Sequence, residues 1–200
     1  MSKKVHERFL EISTTVSVRL AAAISDIGPV KLSKRSDRSL DEVLCRMVAG
    51  QQLSTKAAST IWARVIDSTN GRDLMAHIAA TETSQLRSCG LSNAKTKAMK
   101  AIADASAQGR LDVSPLKACG HAERSKQLTS IWGVGQWTAD MVSIFYFGDK
   151  DVWPDGDVTV WKTLERLTDK RRRTLLTAAR FAPHRSYLAM YMYRIADAQP

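Results

Sequence analysis

Apolar residues recur along almost the whole chain at helical spacing, with polar residues between them. Ile12, Val16, Leu20 and Ile24, at steps of four, would line one stripe of a first helix ending near Gly28-Pro29. Leu40, Val43, Leu44, Met47 and Val48 follow an i, i+3, i+4, i+7, i+8 pattern that predicts a second helix halted at Gly50. The polar, basic stretch Leu32 to Ser39 between them reads as a linker. Further helices are predicted over Thr55 to Asp67, Arg72 to Ala80 and Asn93 to Ala107, with a shorter piece around Glu123 to Ile131. Another runs from Gln136 to Phe147, closed by Gly148. After a loop containing Trp153-Pro154-Asp155-Gly156-Asp157 come Val158 to Leu167, Arg171 to Phe181 and Arg185 to Ala196. No stretch alternates as a half-buried strand would, and no repeat or low-complexity segment appears. The expectation is a compact all-α fold of about ten short helices.

Composition narrows the picture. With 44% hydrophobic and 25% charged residues over 200 positions, the chain can bury one substantial core or two small ones, which excludes a disordered tail. Thirty Lys and Arg against 20 Asp and Glu give a net charge of +10, which favours a polyanionic partner if the excess gathers on one face. Cys45, Cys89 and Cys119 are odd in number and contain no C-x-x-C pair, so they read as small core residues in a reducing compartment. His6, His77, His121 and His184 show no ligand spacing, so no side-chain metal site is expected. No run approaches the ~20 apolar residues that span a bilayer, so a soluble, unexported, intracellular protein without membrane contact is expected.

Two local features could carry chemistry. Ile131-Trp132-Gly133-Val134-Gly135-Gln136 places a tight G-x-G turn between two helical patterns. Glycines at alternate positions permit positive φ and remove Cβ atoms, so amide N–H groups at the start of the next helix can approach a phosphate. A lone Gly-Val-Gly is more often an ordinary helix–helix turn, but the longer segment G-V-G-Q-W-T-A-D, set in so basic a protein, resembles a helix-hairpin-helix clamp on the DNA backbone. The second feature is Asp157, directly before a predicted helix, where Asp is a favoured N-cap. A carboxylate fixed there, near Trp153 and Trp161, also suits a group that must face a developing positive charge.

I-W-G-V-G-Q-W-T-A-D at 131–140, paired with W-P-D-G-D at 153–157, resembles the signature of the helix-hairpin-helix/Gly-Pro-Asp DNA glycosylase superfamily. M-V-A-G-Q-Q-L-S at 47–54, L-R-S-C-G-L-S-N-A-K at 86–95 and F-A-P-H-R-S-Y-L-A-M-Y-M-Y-R at 181–194 stand in matching order. The resemblance therefore covers Leu40 to Arg194, and it is strongest to the 3-methyladenine DNA glycosylase II branch. Bifunctional members of the superfamily carry a Schiff-base lysine in G-V-G-x-K; the matching position here is Trp137, so no amine is present to form an imine and no strand-cleaving lyase activity is expected. The four-cysteine cluster of the iron–sulfur members is also missing, since no cysteine follows Cys119.

The resemblance implies a monofunctional hydrolase that cuts the N-glycosidic bond of alkylated purines, of the 3-methyladenine and 7-methylguanine type, in double-stranded DNA after flipping the nucleotide out. Asp157 would be the catalytic carboxylate, stabilising the oxocarbenium-like sugar and orienting or deprotonating water. Trp137, Met141, Trp153 and Tyr193 would form the base pocket. For Trp153 core packing is an equal alternative, and Met141 stands where some relatives have a tyrosine. Gln51, Gln52 and Leu53 match the loop that fills the gap left by the flipped nucleotide, with Gln52 or Leu53 as the wedge; Leu53 could equally cap the second helix. Gly133, Val134, Gly135 and Thr138 would meet the DNA backbone, and Lys95, with Lys97 and Lys100, could reach phosphates. Lys170 to Arg173 is as easily a solvated turn. Arg185 and Ser186 would secure the last helix near the Asp157 loop. No cofactor is implied; a monovalent cation on hairpin main-chain carbonyls is.

The expected architecture has two lobes, a central bundle over 37–140 ending in the hairpin and a second lobe of 1–36 plus 141–200 carrying Asp157, with the active-site cleft between them. A monomer is expected. Two other readings use the same residues: a non-catalytic helix-hairpin-helix DNA-binding or lesion-sensing protein, which would not need Asp157, and a mismatch or oxidised-base glycosylase.

Overall fold

The structure, a computed structural model, describes residues 1–32, 37–168 and 174–198. Among them are thirteen α-helices, one π-helical segment and no strand. The first half of the chain forms α1 (Lys3–Val16), α2 (Val18–Ile27), α3 (Leu40–Gly50), α4 (Thr55–Ser68), α5 (Leu74–Ala80), α6 (Thr83–Ser88) and α7 (Asn93–Ala107). The second half forms α8 (Val113–Ala118), α9 (His121–Thr129), α10 (Gln136–Val142), the π-helical segment Ser143–Phe147, α11 (Val158–Thr168), α12 (Thr174–Ala179) and α13 (Arg185–Asp197). None is long and apolar enough to cross a membrane. The chain divides into two compact units: Arg35–Ala139, and Met1–Lys34 with Asp140–Pro200.

In the unit 35–139, α7 is the organiser, packing against α3, α5 and α6. Ser92 caps it by accepting the Lys95 amide at 3.3 Å. Its inward face, Ala98, Met99, Ile102, Ala103 and Ala105, is rich in alanine, which lets neighbouring backbones come close. Opposite it, α3 buries Leu40, Leu44, Cys45, Val48 and Ala49, the stripe expected from the sequence turned slightly toward Cys45. Cys45 and Cys89 are buried, whereas Cys119 is half-buried and so is not the core residue expected. The short helices α6 and α8 carry too few turns to show a hydrophobic period and were not predicted.

The other unit holds the larger correction. The stripe from Ile12 to Ile24 predicts one helix, but the chain breaks at Ser17 (φ −164°, ψ 134°) into α1 and α2. The Ser17 amide still donates to the Ser13 carbonyl at 2.8 Å, while its hydroxyl donates to the Leu167 carbonyl at 2.7 Å. A serine that bonds a distant carbonyl competes with helix continuation, and after the break it is Phe9 and Ser13 of α1, with Leu20 and Ile24 of α2, that are buried. Phe9, Leu20 and Ile24 join Trp153, Val160, Leu164, Phe181, Leu188, Tyr191 and Met192 in one core. Phe9 lies between Phe181 and Tyr191, with ring centroids 4.9 and 5.7 Å away. The predicted helix Gln136 to Phe147 is continuous but changes to π geometry at Ser143 and ends at Gly148, which adopts the left-handed conformation (φ 75°, ψ 30°). The predicted start of α12 at Arg171 and the run Lys170 to Arg173 lie outside the described residues.

Candidate active site

Asp157 sits at the start of α11, and three local bonds explain why the helix begins there. Its amide closes the Pro154 turn by donating to the Pro154 carbonyl at 2.9 Å, its carbonyl accepts the Trp161 amide at 3.0 Å, and its Oδ1 accepts the Val160 amide at 3.0 Å. It is therefore the N-cap of α11, and the helix dipole favours a negative charge at this place. The residue is only 8% exposed.

The second carboxylate oxygen has a tertiary partner. The Tyr193 hydroxyl donates to Asp157 Oδ2 at 2.9 Å and lies 3.5 Å from Met141 Sδ. Burial, together with the neighbouring Asp157 charge and the hydrogen bond to it, pushes the Tyr193 phenol well above its ordinary 10. It therefore remains a proton donor across the whole neutral range. Packing of α11 against α13 brings these groups together.

The loop before Asp157 is tied to the start of α13. Arg185 meets Asp151 through two nitrogens, at 2.7 and 3.0 Å, and its amide adds a bond of 3.1 Å to the same carboxylate. That arrangement holds the Asp151 carboxyl below the ordinary carboxylate range. Ser186, fully buried, accepts the Val152 amide at 2.9 Å and donates its own amide to the Lys150 carbonyl at 3.0 Å. Arg185 and Ser186 thus brace the loop. Asp151 was not singled out in the sequence, although an acidic residue opening the D-V-W-P-D-G-D loop ahead of H-R-S-Y was a legible signal.

Trp153 is 7% exposed and belongs to the hydrophobic core of its unit; its indole N–H donates to Asp155 at 3.3 Å. Its placement is that of a packing residue. Trp137 is 38% exposed and Met141 is buried.

The hairpin turn packs against α7. Gly133 has φ +85°, and a Cβ there would lie 2.3 Å from the Ala98 Cβ, so no other residue fits without displacing backbone. A Cβ at Gly135 would meet nothing within 4 Å, leaving open space beside the first turn of α10. Val134 and Thr138 have buried side chains, so at these positions it is the main chain that is available to a DNA backbone. Trp132, 45% exposed, carries the Lys97 ammonium 4.4 Å above its ring.

Gln51, Gln52 and Leu53 follow α3 directly. Gln52 is in the left-handed region (φ 58°), and Leu53 is 40% exposed, so it does not cap α3 by burial. Two of the lysines that could reach phosphates are bonded to main-chain carbonyls of the protein. Lys95 donates to the carbonyls of Ala49 and Gln51, both at 2.9 Å, and Lys100 to those of Ala79 and Thr81, at 3.2 and 2.7 Å. Lys97 is exposed.

Among the described residues no group of three or more His, Cys, Asp or Glu side chains could hold a metal ion. The resemblance implies a monovalent cation on hairpin main-chain carbonyls, and the Ile131 and Gly135 carbonyls lie in this turn. Each accepts one amide, from Val134 at 3.0 Å and Ala139 at 3.1 Å, and keeps a second lone pair of the kind such an ion accepts.

The model of the HhH-GPD superfamily of base excision DNA repair proteins matches residues 45–178, from α3 to α12. The chain belongs to this superfamily. Within the HhH-GPD superfamily it is 30% identical over 173 residues to DNA-3-methyladenine glycosylase 1 of Schizosaccharomyces pombe, covering 80% of this chain and 76% of the relative. The solved DNA-3-methyladenine glycosidase of Bacillus halodurans superposes with a TM-score of 0.81 at 26% identity, covering 95% of this chain and 89% of that one. A second solved structure, the S. pombe 3-methyladenine DNA glycosylase in complex with abasic DNA, agrees in fold with a TM-score of 0.80 at 24% identity, over 94% and 95% of the two chains. The all-α HhH-GPD fold expected from the sequence is the fold observed.

Proposed function

We propose that this chain is a monofunctional DNA glycosylase that removes alkylated purines, of the 3-methyladenine and 7-methylguanine type, from duplex DNA. The carrying observation is the Asp157 carboxylate, held through one oxygen by the start of α11 and through the other by Tyr193. The relatives named as 3-methyladenine glycosylases supply the substrate class.

A purine methylated at N3 or N7 is already cationic, so its departure needs little acid catalysis. The base leaves with the bonding pair, which cancels its charge, and the sugar becomes oxocarbenium-like. Asp157, with its oxygens oriented in advance, stabilises that cation and guides water to C1′, as carboxylates do in glycoside hydrolysis. The water's proton passes to Asp157 or to solvent. Tyr193 offers a ring face, and Met141 a polarisable sulfur, to the electron-poor base. Gln52 or Leu53 enters the gap left in the stack, and the main chain from Gly133 to Thr138 meets the phosphates. With Trp137 in place of an amine no Schiff base forms, so the product is an intact strand with an abasic site.

The test is release of free base from methylated duplex DNA, assayed beside duplexes carrying oxidised guanine or hypoxanthine. The expected result is release of methylated purines, with strand scission only after alkali. Parental release by a D157N variant would overturn the reading.

A further inference from the structure

We propose that Lys95 is a positioning residue: its ammonium, bridging the carbonyls of Ala49 and Gln51, sets the turn after α3 in the shape that offers Gln52 and Leu53 to DNA. The inference rests on the glycosylase reading above and extends it to a residue that touches neither base nor sugar.

The last carbonyls of a helix have no partner within it. At the end of α3 one ammonium satisfies two oxygens, both at 2.9 Å, and brings positive charge to the negative end of the helix dipole. Immediately beyond, Gln52 holds a positive φ of 58°, a conformation that costs a non-glycine residue ~1–2 kcal/mol unless its surroundings impose it. The side chains of Gln52 and Leu53 are exposed, so packing does not impose it. The turn is held from its main chain, by the Leu53 amide on the Gly50 carbonyl at 3.2 Å and by Lys95 on the two flanking carbonyls. Half-burial of Lys95 lowers its affinity for a proton, the mark of an ammonium drawn into the protein rather than extended into solvent.

Lys100 supplies an internal comparison. It lies on the same helix, α7, and caps α5 by the same chemistry, on the carbonyls of Ala79 and Thr81, which do not flank Gln52 in the chain. Loss of a generic helix-capping lysine would therefore show equally in K95M and K100M.

The experiment uses a duplex with a tetrahydrofuran abasic site beside 2-aminopurine, whose fluorescence rises when a side chain enters the stack. Kd is measured at several salt concentrations for the parent, K95M, K95R and K100M. In K95M the fluorescence step is expected to shrink and Kd to rise about tenfold, with the salt slope unchanged; K95R restores both, and K100M behaves as the parent. Parental behaviour of K95M, or equal impairment of K95M and K100M, overturns the proposal. A salt slope reduced by about one in K95M also overturns it, because Lys95 would then be a phosphate contact. Should the parent release no methylated purine, it is the glycosylase reading that fails. Amide exchange at residues 51–54 separately judges the clamp: it should accelerate in K95M and not in K100M, and unchanged exchange in K95M sinks it.

Discussion

The Tyr193 hydroxyl donates to Oδ2 of Asp157 at 2.9 Å, across 36 residues of sequence, while Oδ1 of the same carboxylate accepts the Val160 amide at 3.0 Å. Each oxygen is thus oriented before any substrate arrives. Such preorganisation is what electrostatic stabilisation of a developing cation requires.

Capping and chemistry at Asp157 are separable by substitution. Asn is as good an N-cap as Asp, so D157N should melt close to the parent, whereas D157A, which loses both the cap and the Tyr193 hydrogen bond, should lose ~2 kcal/mol of stability. Both should lose base release by about 100-fold or more, because neither carries the negative charge. Thermal melts and single-turnover assays on methylated duplex distinguish the two effects.

Removing the phenol oxygen in Y193F frees Oδ2 from its fixed partner at a cost of ~1 kcal/mol in stability. The single-turnover rate should fall about tenfold, with the affinity for an abasic duplex unchanged, since the hydroxyl acts on Asp157 and not on DNA. The raised phenol pKa carries its own signature. The folded state favours the protonated form, so this stabilisation is complete below the ordinary pKa of 10 and is lost as pH rises above it. The native parent minus Y193F should therefore show no phenolate absorbance at 295 nm near pH 10, and unfolding should release it.

The two hairpin glycines should fail differently. G133A forces a Cβ to within 2.3 Å of Ala98 at φ +85° and should destabilise the protein by ~2–3 kcal/mol or more. G135A meets nothing within 4 Å and should melt with the parent, yet bind duplex DNA several-fold more weakly because the methyl keeps the backbone from a phosphate. Equal DNA affinity for G135A and the parent would remove the hairpin from the proposed interface.

Asp151 should contribute to stability in a pH-dependent way. Its folded pKa is depressed, chiefly by the Arg185 hydrogen bonds, below the ordinary 3.8. The contribution is therefore present above that value and lost as pH falls through the lower folded pKa. Both partners are about a third exposed, so solvent screening limits the pair to ~1 kcal/mol. D151N should melt below the parent at pH 7 and converge with it near pH 2.

Local physics made much of this molecule legible. The helices α3, α4, α7 and α13 follow from their 3.6-residue periods, the N-cap at Asp157 from residue type and position, and the hairpin from its glycines. Where prediction failed, the deciding partner was remote. Ser17 breaks the first helix while bonding a carbonyl 150 residues away, and nothing near it in sequence marks that break. α6 and α8 are too short to have a period.

The sequence by itself determined the helical class and the carboxylate at the start of α11, because periodicity, capping and turn geometry act over a few neighbouring residues, while the resemblance of its ordered motifs implied the family. Only the tertiary structure decided that Lys95 and Lys100 turn inward to carbonyls, that Val134 and Thr138 are buried, and that Tyr193 reaches Asp157. A lysine's long flexible stem lets its charge serve either solvent or a helix end, and a hydroxyl finds its acceptor only when packed helices bring the two together. Those outcomes depend on packing between elements, which local patterning does not encode.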